Sequence, residues 1–260
     1  MTLDDILTHL RRLAPEETAL DGDPVGLLIA GGGADISKVG VCLDCTPGVA
    51  ARAVASRVQL VVAHHPLIYR PLARIGSDPV SQAVTTLVRA QVGLYAMHTN
   101  WDRAEGGIND TLAACLELQE VRPLGDTGAL ALPRIGKLAA PRSLADFARS
   151  VDTALGCGGT TSALRVGGGD AQRMISRVAV CGGAGAFLVE AVIEAGADAY
   201  VTSDVRHNEF WESEARGLAL LDAGHGATEV PGMRALARRL AGEWDSVEVV
   251  WLDEAAAASV

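Results

Sequence analysis

A chain of 260 residues is long enough to bury one large core or two modest ones. Hydrophobic residues make up 49% and charged residues 21%, a globular composition that excludes a disordered chain. A net charge of −10 argues against a dedicated nucleic-acid binder, and no Lys/Arg block forms a phosphate-tracking stripe, which leaves open only local basic patches around Arg70, Arg74 and Arg103.

Along the chain, Thr2-x-x-Asp5 is a capping-box pattern, followed by Ile6, Leu7, Leu10 and Leu13 at helical spacing with Pro15 behind. Val39 to Leu43 reads as a strand, Gly48 to Ser56 as an Ala-rich helix and Leu60 to Ala63 as the next strand. A helix carrying Val80, Ala83, Val84, Leu87 and Val88 on one face precedes a third strand, Val92 to Met97. Two short apolar runs separated by Pro133 and Gly136 follow Gly128. Ser143-x-x-Asp146 then caps a helix with Leu144, Phe147, Val151 and Leu155 inside, and Gly156–Gly159 and Gly167–Gly169 are turns. The stripe of Leu236, Ala237 and Leu240 reads as core packing. Alternating strands and helices of this length predict an α/β fold with partly parallel sheets.

The N-terminus is acidic and lacks the basic start and long apolar core of a secretory signal, and no run is long enough to span a membrane. Five scattered cysteines fit thiols in a reducing compartment, so the expected location is the cytoplasm. Cys42-x-x-Cys45 reads as core cysteine, because a metal or redox site needs a second pair.

An internal repeat supports two related units. Ile36–Cys42 aligns with Ile175–Cys181, and the same offset lays His64 on Ser203 and His65 on Asp204. Gly93–Met97 corresponds to Gly217–Leu221, which places His98 opposite Asp222. The expected division is 1–127 for a first α/β unit and 128–260 for a second.

Of six histidines, His64, His65, His98 and His225 fall at strand ends, and a carboxylate follows two of them four residues later: Asp102 after His98 and Glu229 after His225. Strand ends are where α/β folds place their chemistry, and imidazoles mixed with carboxylates suit Zn, Fe, Mn or Co better than Mg or Ca. A single strand-end histidine is ordinarily structural. The concentration of His64, His65, Asp102, His225 and Glu229 points to metal. The turn Gly182-Gly183-Ala184-Gly185 admits two readings, an anion cradle or a tight strand-to-helix turn. Gly31–Gly33 reads as a plain loop.

The segments HHPLIYRPL, HTNWDRAEGGIND and GHGATEVPG, with Asp23-x-Val25-Gly26-Leu27 and Leu43-Asp44-x-Thr46, resemble the dinuclear-metal family of NIF-three-like proteins, catalogued as GTP cyclohydrolase I type 2 homologues. The resemblance runs almost the full length. It implies two divalent metal ions per subunit, one held by His65, Asp102 and Glu229 and the other by His64, His225 and a bridging Glu229. The part from 218 to 260 would return His225 and Glu229 to that site. His98 would sit beside the metals, and His98 or His207 would shuttle protons, with Asp204 and Arg206 lining the cleft. The resemblance also implies two intertwined α/β repeats with mixed β-sheets, assembled as a toroidal homohexamer, and Leu118–Leu130 leaves no room for an inserted domain.

The implied activity is metal-dependent hydrolysis of a nucleotide or related heterocycle, with GTP ring opening as the candidate. A two-metal phosphoesterase is a close variant, since paired ions about 3.5–4 Å apart serve both reactions. A non-catalytic metal-trafficking or regulatory scaffold protein is the alternative, because one site can host several functions.

Overall fold

In a computed structural model of the chain, residues 1–33, 35–156 and 164–252 are described. The elements in chain order begin with α1 (Leu3–Leu13), β1 (Gly26–Ile29), β2 (Lys38–Cys42), α2 (Pro47–Ala55), β3 (Leu60–Ala63), α3 (Pro79–Arg89), β4 (Gly93–Ala96), α4 (Thr99–Arg103) and α5 (Ile108–Cys115). They continue with β5 (Gln119–Pro123), β6 (Arg134–Ser143), α6 (Leu144–Gly156), β7 (Arg165–Gly167), β8 (Met174–Val180), α7 (Val189–Glu194) and β9 (Ala199–Thr202). The last are α8 (His207–Ala215), β10 (Ala219–Asp222), α9 (His225–Glu243) and β11 (Glu248–Trp251). No helix among the described residues is long and apolar enough to cross a membrane.

The local chemistry follows the sequence closely. Thr2 and Asp5 cap α1 reciprocally, and Ile6, Leu7 and Leu10 are its buried face. Ser143 and Asp146 exchange hydrogen bonds at the start of α6, which buries Leu144, Phe147, Val151 and Leu155. In α3, Ala83, Val84 and Leu87 are buried, but Val88, expected on the same apolar face, is 55% exposed. The last turn of that helix, with Arg89 and Ala90 exposed beside it, runs past the core. Of the turn expected over Gly156–Gly159, Gly156 closes α6 and the rest lies outside the described residues.

The chain divides into two units, Met1–Ala104 with Met233–Val260, and Glu105–Gly232. The boundary therefore falls well before the expected 127/128. The reason is packing: Leu112, Ala113, Leu116 and Leu118, on and just after α5, join Phe147, Val151, Val178, Val201 and Leu221 in the second unit's core. The C-terminal segment goes the other way, since β11 pairs in parallel with β2.

In the first unit the strand order is β1-β4-β3-β2-β11, with β4, β3, β2 and β11 parallel and β1 antiparallel at one edge. In the second the order is β5-β6-β8-β9-β10-β7, with β8, β9 and β10 parallel and β7 and β6 antiparallel on either side. The central strands Leu60–Ala63 and Ala199–Thr202 are buried throughout, as parallel strands covered on both faces must be. Cys42 and Cys45 lie in the first unit's apolar core.

The repeat is real, with one register correction. β3 and β9 correspond at the expected offset. However, Ala63 pairs with Ala96 on β4, and its counterpart Thr202 pairs with Asp222 on β10. Asp222 therefore corresponds to Ala96, and His98 corresponds to Gly224. The sequence alignment was two residues out because β4 and β10 share little beyond apolar character.

Candidate functional site

In the first unit, β3 ends at Ala63 and delivers His64 and His65, while β4 ends at Ala96 and leads through Met97 to His98, the residue before α4. The backbone ties these ends together: His64 N donates to Cys42 O at 3.2 Å, His65 N to Leu43 O at 3.1 Å, and Met97 N to Ala63 O at 2.9 Å. Pro66 then turns the chain out of the strand. As a result, two histidines adjacent in sequence face the same group instead of opposite sides of the sheet. Ring centroids lie 4.9 Å apart for His64–His65, 5.1 Å for His64–His98 and 5.6 Å for His65–His98. One nitrogen from each of the three lies within 4.8 Å of the others.

Asp102 sits in the first turn of α4, a helix held by buried Asn100 and Trp101. Its Oδ1 lies 3.5 Å from His64 Nε2. Asp102 thus stands with His64, whereas the family resemblance implied a pairing with His65. The imidazole of His65 is drawn instead toward Asp44, and His64 is the fully buried member that faces α4.

The tautomers are fixed by what each Nδ1 meets. His64 Nδ1 donates to the carbonyl of Met97 at 2.7 Å, His65 Nδ1 to Asp44 Oδ1 at 2.7 Å, and His98 Nδ1 to Asp23 Oδ1 at 2.8 Å. Carbonyl and carboxylate oxygens only accept, so each Nδ1 carries a proton, and Nε2 is the ring nitrogen that could ligate a metal when the imidazole is neutral. Asp23 also accepts from the Thr99 amide at 3.1 Å. Burial alone would raise its pKa, but the hydrogen bonds from His98 and Thr99 outweigh that and hold it below the ordinary carboxylate value.

In the second unit, β10 ends at Asp222, and His225 opens α9 with Glu229 one turn on. His225 Nε2 and Glu229 Oε2 are 3.3 Å apart, and Glu229 is buried. His225 Nδ1 donates to Asp204 Oδ2 at 2.7 Å, which gives this histidine the same tautomer as the other three. Asp222 braces the arrangement, accepting from Val205 N at 3.1 Å and from Gly224 N at 3.0 Å. His207 opens α8 in an exposed position and, among the described residues, belongs to no cluster of three or more metal-ligating side chains. The Gly182–Gly185 turn is not an open anion cradle, because the amides of Gly182, Gly183 and Gly185 donate to Asn109, Thr228 and Thr202. Arg206, expected to line a cleft, is the residue before α8 and is exposed.

The donor set fits transition-metal ions. Neutral imidazoles with Nδ1–H committed to a carboxylate or carbonyl, and Nε2 turned toward other ligands, are how proteins orient metal-binding histidines. Sequence reasoning found the imidazoles but assigned no role to Asp23 or Asp44, although both lie in motifs that carried the resemblance. The Met97 carbonyl left no sequence signal, since any residue supplies one.

A family model described as Duf34/NIF3 (NGG1p interacting factor 3) matches residues 1–257. A protein of Nostoc named GTP cyclohydrolase 1 type 2 homolog is 38% identical over 206 residues, covering 78% of this chain and 77% of that one. One of the same name from Streptomyces coelicolor is 35% identical over 236 residues, covering 88% and 82%. Among solved structures, reduced HcgD from Methanocaldococcus jannaschii matches with a TM-score of 0.83 and 28% identity over 97% of this chain and 98% of that one. A Bacillus cereus protein related to NIF3 shares the fold with a TM-score of 0.87, at 21% identity over 96% of each chain. With its length matched almost end to end, the chain belongs to the Duf34/NIF3 family.

Proposed function

We propose that this chain is a dinuclear metal protein that hydrolyses a nucleotide or a related heterocycle. The observation that carries the reading is the shared tautomer of His64, His65, His98 and His225, each with Nδ1–H held and Nε2 presented. In this reading His64 and Asp102 would hold one divalent ion and His65 and His225 the other, with Glu229 a ligand common to both. The proximity of Asp102 to His64 supports that partition. When bound, such a pair of ions polarises a substrate oxygen and activates water.

The chain's own residues do the rest. Asp44 and Asp204 keep His65 and His225 oriented, and the Met97 carbonyl does so for the buried His64. His98 is the proton carrier in preference to His207, because Asp23 holds its Nδ1–H and its Nε2 is within the imidazole group. GTP is the first substrate to try, since the Nostoc and Streptomyces relatives are named as GTP cyclohydrolase 1 type 2 homologs. We also infer a toroidal homohexamer, whose sixfold mass light scattering in solution would check.

The decisive experiment is formate release from GTP by anaerobically prepared protein whose metal content is assayed in the same sample. Turnover with two ions per chain, lost in Glu229→Gln, is the expected result. Two ions without formate would retain the metal centre and discard GTP ring opening. Protein that takes up no transition metal would discard the whole reading.

A further inference from the structure

The turn after β8 has a backbone shape that favours glycine and a neighbour that leaves no room for a side chain. Gly183 adopts φ +64°, in the left-handed region. A Cβ placed there would lie 2.3 Å from Glu229 Oε1 and 3.2 Å from His225 Nε2. Glu229 is 3% exposed, so its carboxylate has little room to retreat.

The turn cannot retreat either. Gly182 N donates to Asn109 Oδ1 at 2.7 Å, and Gly183 N donates to Thr228 Oγ1 at 3.0 Å. The carbonyl of Gly183 accepts from Ser203 N at 3.0 Å and from Thr202 Oγ1 at 3.1 Å. Gly185 N donates to Thr202 Oγ1 at 3.0 Å, and its carbonyl accepts from Tyr200 OH at 2.9 Å. Asn109, Tyr200, Thr202, Ser203 and Thr228 are all fully buried, so none of these bonds is readily exchanged for water. Thr228 also donates to His225 O at 2.7 Å, tying the turn to the first turn of α9, which carries both His225 and Glu229.

We propose that Gly183 is the positioning residue for Glu229: its missing side chain leaves the space that the carboxylate occupies, and the pinned turn fixes that carboxylate in place before any ion arrives. This explains why a turn whose amides bind no anion is nonetheless built so rigidly. The inference rests on the proposed role of Glu229 as a metal ligand.

The test compares Gly183→Ala with Gly217→Ala. Gly217 also has positive φ, +83°, but a Cβ there meets nothing within 4 Å, so the control carries the backbone strain without the collision. Cobalt(II) is titrated into metal-stripped protein and followed by visible absorption, with thermal unfolding measured alongside. Both variants should lose some thermal stability, but only Gly183→Ala should bind cobalt about 10–100-fold more weakly, the usual range when the support of a metal ligand is disturbed. Folded Gly183→Ala with the parent's cobalt affinity would overturn the inference.

If Gly183→Ala does not fold, Thr228→Val takes its place, keeping the glycine while removing the hydroxyl that accepts its N–H. It should weaken cobalt binding by about tenfold, and a folded Thr228→Val with parental affinity would also overturn the inference. A parent protein that binds no cobalt would remove the metal reading and this inference together. Normal parental binding with an indifferent Gly183→Ala removes the inference alone.

Discussion

At the ends of β3 and β9, strands that correspond residue for residue, the first unit carries His64 and His65 where the second carries Ser203 and Asp204. In both units three parallel strands, β2–β4 in one and β8–β10 in the other, run beside an antiparallel edge strand, and the first unit adds a fourth parallel strand, β11. Both also hand the third of those strands to a helix with a histidine and a carboxylate four residues apart: His98 and Asp102 in one, His225 and Glu229 in the other. The difference lies in what the middle strand supplies. In the first unit it supplies imidazoles, which Asp44 and the Met97 carbonyl orient. In the second it supplies Asp204, which orients an imidazole borne elsewhere. At this position one copy of the repeat presents two imidazoles and the other a carboxylate that orients one, although the parallel strands beneath run in the same order.

Exchanging the strand-end residues should have the largest effect. His64→Ala is expected to lower the metal content measured by elemental analysis by at least one ion per chain, whereas its positional counterpart Ser203→Ala should leave it unchanged. Equal loss in both would erase the distinction between the two strand ends. The shared scaffold is tested by Leu94→Ala and Leu220→Ala, buried residues at matching ladder positions on β4 and β10. Each should destabilise by roughly 2–5 kcal/mol in denaturant unfolding, without changing the metal content of the protein that remains folded.

A smaller effect is expected from the orienting carboxylates. Asp44→Ala and Asp204→Ala should each weaken metal binding about 10–100-fold in a chelator competition assay, with the fold retained. Parental affinity in Asp204→Ala would mean that the second unit's middle strand contributes nothing to the site.

The smallest effect is confined to the first unit. His9 packs edge-to-face on Trp244, its ring centroid 5.5 Å away, accepts from Arg12 at Nδ1 and lies 2.8 Å from Glu243 at Nε2. Burial pushes its pKa below the ordinary 6.5, with Arg12 and Arg239 adding to the effect and Glu243 opposing it. The folded state therefore binds this proton less readily than the unfolded chain. Its contribution is complete above about pH 6.5 and is lost as the pH falls through the lowered folded value. The melting temperature should decline on acidification from pH 7, and His9→Gln should flatten that decline. An identical slope in the variant would show that other groups control it.

Much of this contrast was legible from the residues. The capping boxes at Thr2 and Ser143, the apolar faces of α1 and α6 and the buried strand Leu60–Ala63 follow from period and local hydrogen-bonding chemistry, which act within a few residues. His64, His65, His98, Asp102, His225 and Glu229 stood out as ligand types placed at strand ends. The pairing of Asp102 was not legible, because it depends on which way two adjacent imidazoles turn after Ala63. Nor was the register of β10 against β9, since Ala219–Asp222 is apolar enough to slide by two residues without changing which face is buried. The division of the chain was also misplaced, because α5 chooses its core by packing and not by its position in the sequence.

By itself, then, the sequence determined the α/β class, the duplication, the family and the residue types available for metal. Each of these is written in side-chain chemistry or in a periodicity that survives without long-range contacts. Only the tertiary structure decided that Asp23, Asp44, the Met97 carbonyl and Asp204 set the four tautomers, and that Gly183 stands against Glu229. Those contacts join residues 21 to 75 positions apart, or as many as 46 for the glycine, and such distances close only when the strands and helices between them have packed.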